Sequence, residues 1–205
     1  MDLRHSNIKF LKGIGLTRAE VIFREIGVST YHDLLHHYPN SYVDRSKVYR
    51  IIDFSGDMPC VQVRGHFVSL TIQGEGAKMR LVGLFTDGTR TMEIVWFRNI
   101  RTLRTAYHLG AIYVVFGKPV LFNNRWTMSH PEIDPEGSRL SESGLRGVYP
   151  LTEGLRKRNI SSRTIFTWVC SVLDSAGYIP ETLPPETVQQ YNLMSKHDAL
   201  HCIHR

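Results

Sequence analysis

The sequence feature that most constrains the fold is a change of hydrophobic period near Met58. Beyond it, apolar and polar residues alternate along five short runs, at 58–68, 79–85, 90–97, 112–117 and 126–129. This alternation predicts β-strands, because successive side chains of a strand point to opposite faces. Turn-forming sequences separate the runs, and apolar residues at helical spacing in 99–108 predict a short helix between the third and fourth strands.

Five strands with a helix between the third and the fourth are typical of the OB-fold barrel. We therefore expect an α+β chain whose middle domain, 58–136, is a five-stranded OB-fold β-barrel. Barrels of this type often bind oligonucleotides or oligosaccharides, but the fold alone does not establish a function.

The segment before the barrel, 1–57, has apolar residues at helical spacing. Thr17 starts a capping-box pattern, which predicts that a helix begins there and buries Phe23. A second capping pattern, Thr30 with Asp33, predicts another helix. We interpret this segment as an N-terminal helical region with a helix-hairpin-helix-like motif.

The segment after the barrel, 137–205, is expected to be a linker followed by helices. A stretch rich in Ser, Gly and Arg at 136–147 is typical of a linker. One helix is predicted to begin at Ser161 or Ser162, and a last one at Ser195. Because the last helix breaks off at Arg205, we expect this chain to be a fragment of a longer protein.

Charge favours a polyanionic partner. Lys and Arg outnumber Asp and Glu by 25 to 19, which gives a net charge of +6 and a pI near 9.3. This balance favours DNA, RNA or an anionic membrane surface as partner.

The cysteines and the absence of targeting signals indicate the cellular compartment in which the protein is expected. The three cysteines are far apart and none forms a C-x-x-C pair, so we expect a reducing compartment without disulfides or a zinc ribbon. The chain start is too polar for a signal peptide, and no apolar run is long enough to span a bilayer. We therefore expect a cytoplasmic protein with no membrane association.

Two neighbouring aromatic residues at the end of the third predicted strand, Trp96 and Phe97, are candidate DNA-binding residues. Neighbours on a strand point to opposite faces, so that if Trp96 is buried, Phe97 faces outward beside cations. A ring in such a place can stack on a base while the cations bind phosphates. The alternative interpretation is that both rings belong to the core.

Basic residues of the barrel segment are the other candidates for contact with DNA. In OB-folds the second and third strands and the nearby loops form the usual binding face. The alternative is that these charges only provide solubility. The aromatic residues Phe67, Phe85 and Trp126 are expected in the core, and the basic candidates are Arg64, Lys78, Arg80, Arg98, Arg101 and Arg104.

The sequence Leu11-Lys-Gly-Ile-Gly15 predicts a tight hairpin before a helix. Glycines allow such a turn and leave bare amide groups that can bind a phosphate at the helix N-terminus. The candidate phosphate-binding residues are Lys12, Gly13, Gly15 and Arg18. The alternative is a structural turn that contacts only its own domain.

Metal binding and catalysis are not predicted. His32 with His36, and His197 with His201, lie four residues apart, but no further ligand completes a zinc set, and we expect solvated helix faces. The motifs G-x-x-x-x-G-K-[ST], G-x-S-x-G and H-E-x-x-H are missing from the sequence. We therefore expect neither a catalytic residue nor a cofactor in this chain.

Seven blocks of sequence in a fixed order relate the chain to a known family. They are LKGIGLTRA (11–19), DLLHHYP with YVDR (33–39 and 42–45), VWF (95–97), FGK (116–118), HPE (130–132), VYPLTEGL (148–155), and ETLPP with ALHCIH (181–185 and 199–204). In these blocks, which span nearly the whole chain, the sequence resembles RecG-type ATP-dependent DNA helicases.

The resemblance implies that this chain is the N-terminal portion of such a helicase, with an OB-fold wedge that binds the branch point of replication forks and four-way junctions. ATP and Mg²⁺ would then act in motor domains beyond this segment. Phe97 matches the aromatic residue that stacks on the opened base pair. Arg101 stands where family members often carry a second aromatic residue.

The resemblance favours branched DNA as the partner and a monomer as the state of the protein. Two other functions stay open from the residues alone. One is a single-stranded-DNA-binding OB-fold module without a motor. The other is a protein-interaction module in which Phe97 contacts a partner protein.

Overall fold

The computed structural model describes residues 2–138 and 144–205, which form two compact units. The helical unit combines both ends of the chain, 1–44 and 145–205, and the barrel unit is the segment 45–144. This division differs from the three consecutive segments expected from the sequence, 1–57, 58–136 and 137–205. One reason is that β1 (Ser41–Asp44) pairs antiparallel with β9 (Leu145–Val148), which joins the two ends of the chain. Hydrophobic period carries no information about such a distant pairing.

The barrel unit contains the five predicted strands in the predicted order. A short helix lies between the third and fourth of these strands, which confirms the α+β, OB-type fold. The elements are β2 (Val61–Gln73), β3 (Arg80–Thr86), β4 (Thr91–Trp96), α3 (Ile100–Ala106), β5 (Ile112–Gly117) and β7 (Arg125–Ser129).

Two further strands extend the sheet beyond the predicted five. These are β6 (Val120–Phe122) and β8 (Glu132–Pro135), and the strand order is β6-β7-β4-β3-β2-β5-β8. All neighbours pair antiparallel except β4 and β7, which are parallel. Both added strands are only three or four residues long, too short to show a clear alternation in the sequence.

Strand β2 bends so that its two halves pair with different neighbours. Its first half, up to His66, pairs with β5, and its second half, from His66 onward, pairs with β3. Gly65 lies at this bend, and a Cβ atom there would come within 2.1 Å of the Thr86 carbonyl oxygen. Only glycine allows the two backbones to approach this closely.

The core of the barrel is formed by the inward residues of these strands. Phe67 and Phe85 are buried at its centre and meet edge to face, as the sequence predicts. Trp126 is only partly buried and packs edge-on against Phe54. Ile51 and Phe54 also belong to this core, so residues 45–57 are part of the barrel unit.

The helical unit is organised around α5 (Ser162–Ala176), whose apolar face is buried. Its amphipathic spacing places Trp168, Val169 and Val172 in the core. The helices of this unit are α1 (Gly15–Ile26), α2 (Tyr31–Leu35), α4 (Glu153–Lys157), α5 (Ser162–Ala176), α6 (Pro185–Gln190) and α7 (Lys196–His204).

Three of the four predicted helix starts are confirmed, with the side-chain caps at Thr30, Ser161 and Ser195. The cap predicted at Thr17 is wrong, because α1 begins two residues earlier, directly after the glycine hairpin, without a side-chain cap. Phe23 lies on an outward side of α1 and is exposed, so the expectation that it is buried is also wrong.

The structure describes only part of the linker predicted at 136–147. Residues 139–143 lie outside the described residues, and residues 145–147 belong to β9 rather than to a linker. Across 2–138 and 144–205, no helix is long and apolar enough to cross a membrane. The same residues contain no group of three potential metal ligands.

Candidate nucleic-acid interface

The end of β4 separates two adjacent aromatic side chains. Met92, Ile94 and Trp96 point into the barrel, so that Trp96 is 2% exposed, whereas Phe97 is 55% exposed. The alternation expected from the sequence is confirmed. The inclusion of Trp96 among the DNA-binding candidates is wrong, because a ring this deeply buried in the core cannot contact a base.

Phe97 is held at the surface by a residue from the segment after β7. The Phe97 backbone N–H donates to Nε2 of His130 at 3.0 Å, and the two rings lie 5.7 Å apart at 43°. The His130 backbone N–H in turn donates to the Val95 carbonyl oxygen at 3.0 Å. The parallel pairing of β4 with β7 ends at Val95 and Ser129. The two bonds of His130 therefore connect the same two chain segments one residue beyond the end of this pairing.

A groove of about 320 Å³ runs along the outer face of the sheet beside Phe97. Its lining is mostly apolar and comes from β3, β4, β6 and β7. The charged lining residues are Arg80 and Glu93, and Glu93 forms a 2.8 Å ion pair with Arg125. The uncharged lining residues are Val82, Val95, Phe97, Val120, Phe122, Thr127 and Ser129.

Of the basic residues predicted on this face, Arg80 is placed opposite Phe97 by the strand register and lines the same groove. Leu81 pairs with Trp96 in the antiparallel register of β3 and β4. Arg80, one residue before Leu81, therefore lies opposite Phe97, one residue after Trp96. Arg80 also donates to the Gln73 side chain at 3.2 Å. Lys78 lies two residues earlier in the exposed β2–β3 connection.

Three candidate arginines follow Phe97 directly. Arg98 precedes α3, and Arg101 and Arg104 lie one helical turn apart on it. Ile100 and Leu103 pack against the barrel core, so the arginines are on the solvent side of the helix, and all three are exposed. Within the described part of the chain, their side chains take part in no ion pair or hydrogen bond. These cations are therefore available to a polyanion.

Arg64 is not among the residues that line the groove. Its guanidinium forms an ion pair with Glu136. The hydrogen bond and then the charge of Glu136 raise the pKa of Arg64, and the same bond lowers the pKa of Glu136. Arg64 is thus paired with a carboxylate, and a phosphate contact of this residue stays a prediction.

The glycine hairpin at the start of α1 forms as predicted, with Gly13 and Gly15 both at positive φ. The Arg18 guanidinium donates to the Gly13 carbonyl oxygen at 2.6 Å and so closes the hairpin on itself. Lys12 is exposed. This geometry supports the structural interpretation of the turn, and a phosphate contact of these residues stays a prediction.

Sequence analysis missed two parts of this face. The hairpin of β6 and β7 contributes Val120 and Phe122, whose large apolar side chains are exposed and line the groove. Three successive exposed apolar residues before the Asn123-Asn124 turn were the available signal. The contact of His130 with Phe97 joins residues 33 positions apart, and no local pattern indicates it.

Comparisons with known proteins relate the chain to one family. Residues 7–171 match the model of the RecG wedge domain. The chain is 28% identical over 201 residues to the ATP-dependent DNA helicase RecG of Escherichia coli K12, and 26% identical over 208 residues to that of Thermotoga maritima. These alignments cover 95% and 97% of this chain but 27% and 25% of the relatives, so the chain spans about a quarter of their length.

A solved structure described as RecG bound to a three-way DNA junction matches all of this chain and 27% of that chain. The TM-score is 0.78 and the sequence identity is 25%. The barrel and its outer groove define a domain of the OB-fold class. More specifically, the chain belongs to the RecG wedge domain family, whose curated relatives are named as ATP-dependent DNA helicases.

Proposed function

We propose that this chain is the branched-DNA-binding wedge portion of an ATP-dependent DNA helicase. The observation that carries the proposal is the outward position of Phe97 at the end of β4, next to Arg80 and followed by three arginines without a partner among the described residues. An exposed ring among cations has the chemistry needed to stack on a base while the adjoining phosphates are neutralised.

In this proposal the wedge replaces base–base stacking at the fork by stacking of a base on an aromatic side chain. Stacking of a base on an aromatic side chain contributes about 1–3 kcal/mol, which offsets part of the base stacking that is lost where a duplex opens. The groove beside Phe97 offers an apolar floor and the rings of Phe97 and Phe122 to the separated strand. Because the cations contact backbone phosphates, recognition is of the shape of the junction rather than of its sequence.

The relatives' names support a wider role as part of the proposal. A motor beyond this segment would bind ATP and Mg²⁺ and pull duplex across the wedge. The whole protein, a cytoplasmic monomer, would remodel stalled forks and four-way junctions by branch migration during recombination and repair.

Competition binding with one ring removed tests the proposal. The affinities of the chain for a fork, a four-way junction, a duplex and a single strand of equal length are measured at fixed salt. We expect Phe97→Ala to weaken fork binding about ten-fold, the equivalent of about 1.4 kcal/mol, with little change for duplex. Phe23→Ala is the matched control, because Phe23 is 59% exposed but lies in the helical unit.

Three outcomes would contradict the proposal. Equal affinity for all four DNAs would remove the wedge function. Tighter binding of single strands than of any junction would favour a single-strand-binding module instead. Absence of DNA binding at low salt would favour a protein-interaction module.

A further inference from the structure

His130 occupies an unusual position at the end of the sheet. Its φ of +48° is in the left-handed region, which residues other than glycine adopt rarely. Strand β7 ends at Ser129, so this conformation turns the chain directly after the pairing with β4. The imidazole thereby reaches the backbone of Phe97 on the neighbouring strand.

The contacts of His130 bracket the end of β4. Its backbone N–H binds the Val95 carbonyl, and its ring nitrogen accepts from the Phe97 N–H. Between these two bonds Trp96 is anchored in the core. The backbone of β4 is thus fixed on both sides of Trp96, and the His130 ring flanks the Phe97 ring at 5.7 Å.

The hydrogen bond to Phe97 also determines the protonation state of the imidazole. A nitrogen that accepts a hydrogen bond carries no proton, so Nε2 is the bare nitrogen and a neutral ring has its proton on Nδ1. A protonated imidazole has N–H donors at both nitrogens and cannot accept from the Phe97 N–H. The contact therefore exists only with neutral His130, which is exposed to solvent and can exchange protons with it.

We propose that His130 is a positioning residue: in its neutral form it holds Phe97 in the outward orientation in which the ring meets an opened base pair. This inference rests on the proposed function of Phe97 as the stacking residue. Loss of the acceptor nitrogen of His130 therefore releases Phe97 and lowers the preference of the chain for branched DNA.

The measured quantity is the ratio of fork affinity to duplex affinity, because contacts with phosphates common to both DNAs cancel in it. A fall in the ratio when the acceptor is removed therefore reports loss of the Phe97 position rather than a change in overall charge. We expect about a five-fold fall for His130→Ala, as for loss of one hydrogen bond.

Two substitutions separate the hydrogen-bond acceptor from the imidazole ring. His130→Gln retains an acceptor without the ring, so we expect it to keep most of the ratio. His130→Ala removes the acceptor, and we expect a low ratio.

Hydrogen exchange at the Phe97 amide gives a readout that does not depend on DNA. We expect slow exchange in the original chain and in His130→Gln at pH 7.5, and at least about five-fold less protection in His130→Ala. Equal denaturation midpoints of the three chains, within error, establish that the effect is local.

The proposed positioning role is wrong if His130→Ala keeps both the fork preference and the protection of the Phe97 amide, or if His130→Gln loses the fork preference as fully as His130→Ala does. If the original chain has no fork preference but the amide depends on His130 as described, the proposed function fails while the positioning of Phe97 by His130 stands.

Discussion

The helical unit and the barrel unit each use a histidine to join segments that are far apart in the sequence. In the helical unit, His204 of α7 is 0% exposed, and its Nε2 donates to the Leu35 carbonyl of α2 at 2.9 Å. Its Nδ1 then accepts from the Tyr149 hydroxyl at 2.8 Å. In the barrel unit, His130 is exposed and makes one side-chain bond, to the Phe97 backbone.

The comparison shows that burial determines how much an imidazole contributes to stability. Removal of a buried imidazole leaves a cavity and two polar groups without partners, which costs stability. Removal of an exposed imidazole lets water take over its hydrogen bond, so the main loss is the orientation of the chain it held. We therefore assign His204 to the stability of the helical unit and His130 to the geometry of the candidate interface.

The largest expected effect is that of His204→Ala on stability. We expect the free energy of unfolding to fall by about 3 kcal/mol, because the Leu35 carbonyl and the Tyr149 hydroxyl both lose their partner in a buried place. For His130→Ala we expect less than about 1 kcal/mol. Urea denaturation of both variants measures the contrast, and equal losses would break the comparison between the units.

The pH dependence of stability sharpens the same contrast. Burial, followed by the charges of neighbouring histidines, holds the pKa of His204 below its ordinary value of 6.5, although the Leu35 carbonyl acts in the opposite sense. Protons then bind more readily to the unfolded chain. The stabilisation by neutral His204 is complete above pH 6.5 and is lost as the pH falls toward the lowered pKa.

The expected result is a smaller free energy of unfolding at pH 5 than at pH 7.5, with a shallower dependence in His204→Ala. Burial is also the largest cause that lowers the pKa values of His32, His37 and His201, so these residues act with the same sign. Hydrogen exchange at both pH values locates the loss. Faster exchange confined to the barrel unit would contradict the assignment to His204.

A smaller loss, of about 2.5 kcal/mol, is expected for Gly65→Ala in the barrel unit. The added Cβ would lie 2.1 Å from the backbone oxygen of Thr86, so the paired strands must move apart. The control is Gly83→Ala, where the nearest atom belongs to the ring of Phe67, at 2.7 Å. A side chain can shift more easily than a paired strand, so we expect the control to cost less, as measured by thermal unfolding.

The smallest expected effect compares cations of the two units. Arg98→Ala should weaken binding of fork and duplex about equally, by about three-fold, and reduce the slope of log affinity against log salt by about one. Arg158→Ala is the control from the helical unit, because Arg158 follows α4 directly and is also exposed. If the control changes the slope as much as Arg98→Ala does, the cations after β4 have no special part in binding.

Local pattern was sufficient for the barrel because its strands are neighbours in the sequence. Alternation located β2, β3, β4, β5 and β7, and it separated Trp96 from Phe97, since both depend only on residues one or two positions apart. The same reasoning failed for Phe23, which was assigned to the buried face of a helix but is exposed, because the burial of a helix face depends on which elements pack against it.

The features that the sequence did not predict depend on contacts between residues that are far apart in the chain. The sequence by itself determined five strands of the barrel with a helix between the third and the fourth, the glycine hairpin at the start of α1, and the ring and cations offered at the end of β4. Only the tertiary structure decided that the two ends of the chain form one unit, that Arg64 is paired with Glu136, and that His130 holds Phe97. Each of these joins residues tens of positions apart, and the free energy of such a contact depends on packing and geometry that periodicity does not encode.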